Sequence, residues 1–198
     1  MSLVETLRAA LETGHRASPE LIGGDVLDEE ENGDGITPAA VLVAIVDRPE
    51  PTVILTLRPE TMRKHPSQIS FPGGRIDPGD DGPIAAALRE AEEEIGLPPH
   101  MVEVIGTADP YRTVTGFEVI PVLGIVRPDL PLTPHAGEVA ALFEAPLYYL
   151  LDPAHQHVRS AVWRGRERTY YEIDYEGRRI WGATAAMIVN LGRRLVLA

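Results

Sequence analysis

The segment from Gly73 to Gly96 constrains this chain more than any other. Two adjacent glycines, Gly73 and Gly74, lead into Arg75-Ile76-Asp77-Pro78-Gly79-Asp80, which is rich in turn formers. A continuous helical pattern follows from Gly82 to Ile95. Gly96 ends that helix, and Pro98-Pro99 prevent its continuation. At about 100° per residue, Ile84, Ala87, Leu88, Ala91 and Ile95 fall in a stripe about 100° wide, which must pack on a core. Glu90 and Glu94, one turn apart, lie about 40° from each other beside one edge of the stripe. Glu93 points further out, and Glu92 leaves by the other side. Any fold that takes this segment must hold two stacked carboxylates at the margin of a core, next to a glycine loop.

Like charges at this spacing destabilise a helix by a few tenths of a kcal/mol, and by more when partly desolvated. A divalent cation between them reverses the sign. Magnesium suits such a pair, because it takes oxygen ligands, one or two of them carboxylates, and fills its shell with water and phosphate. On their own, these glutamates also describe a solvated acidic face, with Arg89–Glu93 as a surface pair. The preceding glycines favour the ligand reading, since they let backbone approach a bound group closely and offer N–H donors to an anion.

The rest of the chain reads as one mixed domain. A short helix is expected over residues 2–12, then a glycine-rich loop over 13–36 containing the acidic run Asp28-Glu29-Glu30-Glu31. Strands are expected at Ala39–Val46, Thr52–Leu57, Gln68–Phe71, Met101–Thr107, Phe117–Val126 and Glu138–Phe143. A helical turn is expected at Pro146–Leu151, a hairpin from Val158–Trp163 and Thr169–Tyr175, a strand at Arg179–Trp181 and a last helix at Ala183–Leu197. This order predicts an α+β fold, an α/β/α sandwich around a mixed β-sheet. Residues 1–37 would form an N-terminal helix and acidic loop, and 38–198 the main domain.

Composition excludes several classes. The chain of 198 residues has no cysteine, so disulfides, thiolate zinc sites and cysteine nucleophiles are excluded. Its longest apolar run, Ala39–Val46, is too short to span a bilayer as a helix, and the N-terminus lacks the pattern of a secretory signal. A cytoplasmic protein with no membrane partner is therefore expected. The net charge is −12, of which residues 1–35 supply −7 through nine acids and two bases. Such acidity argues against nucleic acid as a partner and means that bound phosphates need a metal or local cations.

The stretch Gly74, Asp80, Arg89-Glu90-Ala91-Glu92-Glu93-Glu94-Ile95-Gly96-Leu97 resembles the Nudix hydrolase box, G-x5-E-x7-R-E-U-x-E-E-x-G-U, where U is bulky and apolar. Asp80 stands for the first glutamate, and the gap to Arg89 is one residue longer. Taking Asp81 restores that gap and lengthens the first. Leu55-Thr56-Leu57-Arg58, Arg63, His65, Gln68 and Phe71-Pro72-Gly73-Gly74 resemble the signature upstream of the box in the coenzyme A pyrophosphatase branch, and downstream Ile180-Trp181-Gly182-Ala183-Thr184-Ala185 also look like this branch. Ser67 departs from that signature, standing where glycine is usual.

The resemblance implies a Nudix-type fold and Mg2+- or Mn2+-dependent hydrolysis of coenzyme A to 4′-phosphopantetheine and adenosine 3′,5′-bisphosphate. Two alternatives stand beside it: a pyrophosphatase for ADP-ribose or related nucleotides, and a non-catalytic nucleotide sensor. The implied metal ligands are Glu90 and Glu94, with Glu93 auxiliary and the Gly74 carbonyl as a further oxygen. Glu138 is the candidate general base, with a box glutamate, Glu93, as rival; Arg89 would orient a box glutamate. Arg58, Arg63, His65, Gln68, Gly73 and Gly74 would meet the substrate. The C-terminal stripe Ala186, Ile188, Val189, Leu191 and Leu195 reads as core or as the contact of a homodimer.

Overall fold

The computed structural model describes residues 2–17, 19–22, 35–61, 66–163 and 165–195. The acidic run at 28–31, together with Arg63 and His65, lies outside them. Strand β1 (Thr37–Val46) organises the molecule. Its side chains alternate between two cores: Ala39, Val43 and Ile45 enter one, and Ala40, Leu42, Ala44 and Val46 the other. A strand buried on both faces needs a cover on each side, which makes this sheet the middle layer of a sandwich.

One edge of β1 pairs in parallel with β7 (Phe117–Val126) along its whole length. The other edge is shared. Its first half pairs with β4 (Gly73–Arg75), and its end pairs with β2 (Thr52–Leu57). Strand β2 also holds β3 (Ile69–Ser70) and β8 (Ala141–Pro146), while β5 (Val102–Thr107) and β6 (Tyr111–Arg112) extend the β7 side. Helix α2 (Gly82–Ile95) covers one face. Helices α1 (Leu3–Ala17), α3 (Leu147–Leu151) and α4 (Ala183–Arg194) cover the other. A separate antiparallel sheet is built from β9 (His157–Trp163), β10 (Arg166–Tyr175) and β11 (Arg178–Trp181).

Several boundaries differ from the sequence reading, each for a local reason. The first helix runs on through Gly14 to Ala17 instead of ending at residue 12. Gly14 is a contact residue there: a Cβ would lie 1.7 Å from the carbonyl oxygen of Arg194. Arg194 in turn donates to the Gly14 carbonyl at 2.6 Å and to Asp109 at 2.7 Å, joining α1, α4 and the β5–β6 connection. Leu7, Ala10 and Leu11 of α1 belong to the same core as the sheet. Glu138 precedes β8 in a turn, its amide donating to the His135 carbonyl at 2.9 Å, so the strand expected from Glu138 begins at Ala141. The C-terminal stripe from Ala186 to Leu195 is wholly buried, so it is core and offers no exposed contact to a second copy. Among the described residues no helix is long and apolar enough to cross a membrane.

Candidate active site

Helix α2 faces β1 and β7 through Ala86, Ala87 and Ala91, whose small side chains bring the helix close to the sheet. The buried arc is Ala86, Ala87, Ala91, Glu94 and Ile95, rotated by roughly 50° toward the glutamate flank from the apolar stripe. Ile84 is consequently 38% exposed, whereas Glu94 is only 5% exposed. The helix thus gives up an isoleucine contact and places a carboxylate inside.

Among the described residues the Glu94 carboxylate accepts one hydrogen bond, from the Gly73 amide at 3.2 Å. Burial pushes its pKa from 4.5 up to about 7. The Gly73 hydrogen bond and the charge of Arg58 oppose that rise, and Glu90 and Glu138 add to it. Burial also raises Glu90, against the pull of Arg89. The Glu90 carboxyl rests on Gly74, where a Cβ would stand 2.6 Å from it. At Gly73 a Cβ would lie 2.4 Å from the Ala40 carbonyl oxygen. Both glycines therefore fill space that no other residue could occupy.

The β1–β4 ladder sorts the backbone oxygens of this pair. Leu42 donates to Pro72 and Ile76 to Pro38, so in the alternation of an antiparallel ladder Gly74 is bonded to Ala40. Its carbonyl is turned toward β1. Gly73 points its N–H and C=O away from β1, toward Glu94. The backbone oxygen on the carboxylate side is that of Gly73, in place of the Gly74 carbonyl expected from the sequence.

Arg89 is fully committed. Its five N–H groups reach Asp80 twice at 2.9 Å, Glu90 at 2.9 Å, Glu93 at 3.2 Å and the Arg75 carbonyl at 3.0 Å. No donor remains for a substrate, which makes it a positioning residue. Of the two neighbouring acids, Asp80 is the one that pairs with Arg89, its side chain well buried and held below the usual carboxylate range by that hydrogen-bonded guanidinium. Asp81 stands at the N-cap without a side-chain capping bond. Glu93 is largely exposed and turned to Arg89.

Arg58 immediately follows β2, its amide bonded to the Gln68 carbonyl at 2.9 Å. Its Nε is shielded from water and has no hydrogen-bond partner among the described residues, although its charge reaches Glu94. Glu138 comes from the loop before β8. The amides of Thr133 and His135 donate to the carbonyls of Ile95 and Glu94, and Ala140 donates to Leu57. This loop therefore closes the C-terminal end of α2 and fastens it to the strand that carries Arg58. The structure thus gathers Glu90, Glu94, Glu138, Arg58, Gly73 and Gly74. Sequence reasoning missed the loop amides and Asp80 as the partner of Arg89; Asp80 could have been found from the bidentate match of carboxylate and guanidinium.

The profile of the NUDIX domain matches residues 36–160. The chain belongs to the NUDIX domain family. Relatives from Cronobacter sakazakii and Escherichia coli strain K12, both carrying the name "Uncharacterized Nudix hydrolase NudL", are 46% identical over 157 residues, covering 79% of this chain and 82% of theirs. Among solved structures, the chain is similar to a C. elegans Ap4A hydrolase binary complex, with 20% identity and a TM-score of 0.49 over 56% of this chain and 80% of that one. As a NUDIX domain, the chain is a Nudix hydrolase of the kind that acts on nucleoside diphosphate derivatives.

Nudix hydrolases generally use divalent ions such as Mg2+ or Mn2+. Among the described residues no three carboxylate or histidine side chains form a ready-made cage. The donor set nevertheless fits such an ion. Glu90 and Glu94 are carboxylates raised chiefly by burial and further by neighbouring glutamates, Glu93 and Glu138 for Glu90 and Glu90 and Glu138 for Glu94, and a hard cation offsets both effects.

Proposed function

We propose that this protein hydrolyses the diphosphate of coenzyme A, or of its thioesters, to 4′-phosphopantetheine and adenosine 3′,5′-bisphosphate. The observation that carries the reading is Arg58. It lies in the stretch that resembles the coenzyme A branch, its charge felt by buried Glu94 and its Nε without a hydrogen-bond partner among the described residues. A substrate with a diphosphate and a further phosphate needs such a cation.

Glu90 and Glu94 would hold the metal, together with the Gly73 carbonyl. When bound, Mg2+ or Mn2+ offsets phosphate charge and eases deprotonation of water. Glu138 takes the proton of the water that adds to phosphorus as the bridging P–O bond breaks. Arg89 fixes Glu90 and Glu93 in place, which leaves Glu93 an auxiliary role. Arg58 and Gln68 face the phosphates, with Arg63 and His65 expected to join them. The test is incubation with coenzyme A, dephospho-coenzyme A and ADP-ribose, with and without Mg2+, and identification of products by mass. Metal-dependent release of 4′-phosphopantetheine is expected. Cleavage of ADP-ribose with coenzyme A left intact would discard this substrate while keeping the carboxylate site.

A further inference from the structure

A cavity of about 350 Å³ opens beneath the β9–β10 hairpin, lined among others by Tyr111, Val158, Glu167, Arg168, Thr169 and Tyr171. It belongs to the opposite face of the sheet from the carboxylates, because Tyr111 shares its core with Ala39 and Val119 while α2 packs on Ala40 and Leu42. Two routes tie it to the active site. Across the sheet, Tyr111 pairs with Val119, Val119 with Ala39 and Ala39 with Arg75, next to Gly74. Three strand spacings separate Tyr111 from that strand, roughly 14 Å. Along the chain, Gly182 lines the cavity and is bonded to the Tyr171 carbonyl, and Thr184 donates to the Ile69 carbonyl at 3.1 Å, four residues before Gly73.

The lining says what kind of group fits. Among the described residues its charged members are one acid and one base, Glu167 and Arg168, so the described lining is balanced in charge. The remainder mixes tyrosine and threonine hydroxyls with Ile22, Val158 and Ala186. A phosphate would find no surplus cation among these described residues, whereas Arg58 stands elsewhere, beside the carboxylates, its Nε without a hydrogen-bond partner among the described residues. A neutral chain carrying amides and methyl groups matches alternating hydroxyl and aliphatic surfaces. Strand β4 pairs only with β1 among the described strands, so no further described strand closes its other edge, which lies between the two faces.

We infer that this cavity receives the neutral, amide-bearing arm attached to the diphosphate, while the phosphate-rich nucleoside end stays on the Arg58 side. This rests on the coenzyme A reading, where that arm is pantetheine, and adds which surface selects it. It also predicts that discrimination among substrates resides in the hairpin, away from the metal ligands.

The test fills the cavity from its exposed wall. Thr169→Trp and, independently, Val158→Trp replace exposed strand residues, for which an aromatic side chain is well suited. Binding of 4′-phosphopantetheine and of adenosine 3′,5′-bisphosphate is measured by calorimetry on the full chain, alongside coenzyme A turnover and far-UV circular dichroism. The expected result is at least a tenfold loss of affinity for the pantetheine half in both folded variants, with the adenosine half bound as before and KM for coenzyme A raised more than kcat falls. Unchanged pantetheine affinity in a folded variant, or a loss confined to the adenosine half, overturns the cavity assignment while coenzyme A turnover by the parent protein upholds the substrate. Absence of both turnover and binding in the parent protein overturns the substrate reading and this inference with it.

Discussion

Removing the charge of Glu94 should make the metal-free protein more stable and inactive at once. In the folded state Glu94 titrates near 7, against 4.5 for an ordinary glutamate. Each pKa unit is worth about 1.4 kcal/mol, so ionised Glu94 costs the fold about 3 kcal/mol at pH 8. The folded pKa is raised, so the proton favours the native state. Native stability is therefore highest below pH 4.5 on account of this group, falls through the window from 4.5 to about 7, and levels off above it. Glu94→Gln keeps an oxygen for the Gly73 amide but brings an amide NH2 that also loses water, at about 1 kcal/mol. A net gain of about 2 kcal/mol at pH 8 remains, or roughly 4–8 °C in Tm for a chain of this size. Thermal melts of both proteins in EDTA, from pH 4.5 to 8.5, should show the gap opening as pH rises and closing toward pH 5. Adding Mg2+ at pH 8 should then stabilise the parent, by about 2.7 kcal/mol at one hundred times Kd, and the variant far less. A gap that ignores pH, or a variant less stable than its parent at pH 8 without metal, would refute the burial argument.

Other substitutions separate the site from the scaffold. Gly74→Ala puts a methyl group into the Glu90 carboxyl, and turnover of whichever diphosphate the enzyme cleaves should fall at least about 100-fold with circular dichroism unchanged. Gly14→Ala gains about 1 kcal/mol of helix propensity but drives a Cβ into the Arg194 carbonyl, so urea unfolding should report a net loss of about 2 kcal/mol with activity per folded molecule retained. Ser67 holds a left-handed φ of 57°, a conformation that costs a non-glycine residue about 1–2 kcal/mol. Ser67→Gly relieves it at some expense in unfolded-state entropy, and a gain of about 0.5 kcal/mol in urea unfolding is expected.

How much of this was legible in the sequence depended on whether local pattern or tertiary contact decided the outcome. The limits of α2 were readable to the residue, because Gly96 and the prolines beyond it are local stop signals. The sandwich was readable from the order of elements. The orientation of α2 was not: hydrophobicity points charges outward, whereas the helix is turned so that Glu94 goes in and Ile84 comes out. Gly14 misled for a related reason. A glycine in a weak helical pattern reads as a stop, and only the partner helix shows that it is a point of contact. The two short strands β4 and β6 escaped notice because two or three residues carry no periodicity, yet β4 is what brings the glycine pair against β1. Ser67 shows the opposite case. The departure from glycine was visible in the sequence, and the structure gives its meaning as a backbone conformation that glycine adopts freely.

The two arginines of the site explain how an acidic protein can concentrate carboxylates and still bind phosphate. Arg89 satisfies all of its donors within the loop–helix unit. It pays for the assembly of Asp80, Glu90 and Glu93 and leaves no field directed at a ligand. Arg58 does the reverse. It lies close enough to Glu94 to lower its pKa somewhat, but makes no hydrogen bond to it. Had the two formed a direct bidentate pair, Glu94 would titrate well below 7, and neither group would remain available, one for a cation and the other for an anion. Keeping them apart is the work of the backbone. Gly73 holds the carboxylate from one side, and the loop through His135 and Ala140 fastens the end of α2 to the strand that carries Arg58. The protein thus keeps a carboxylate and a guanidinium in mutual electrostatic reach without a hydrogen bond between them, which is the arrangement that the proposed metal–diphosphate ligand, positive at one end and negative at the other, would require.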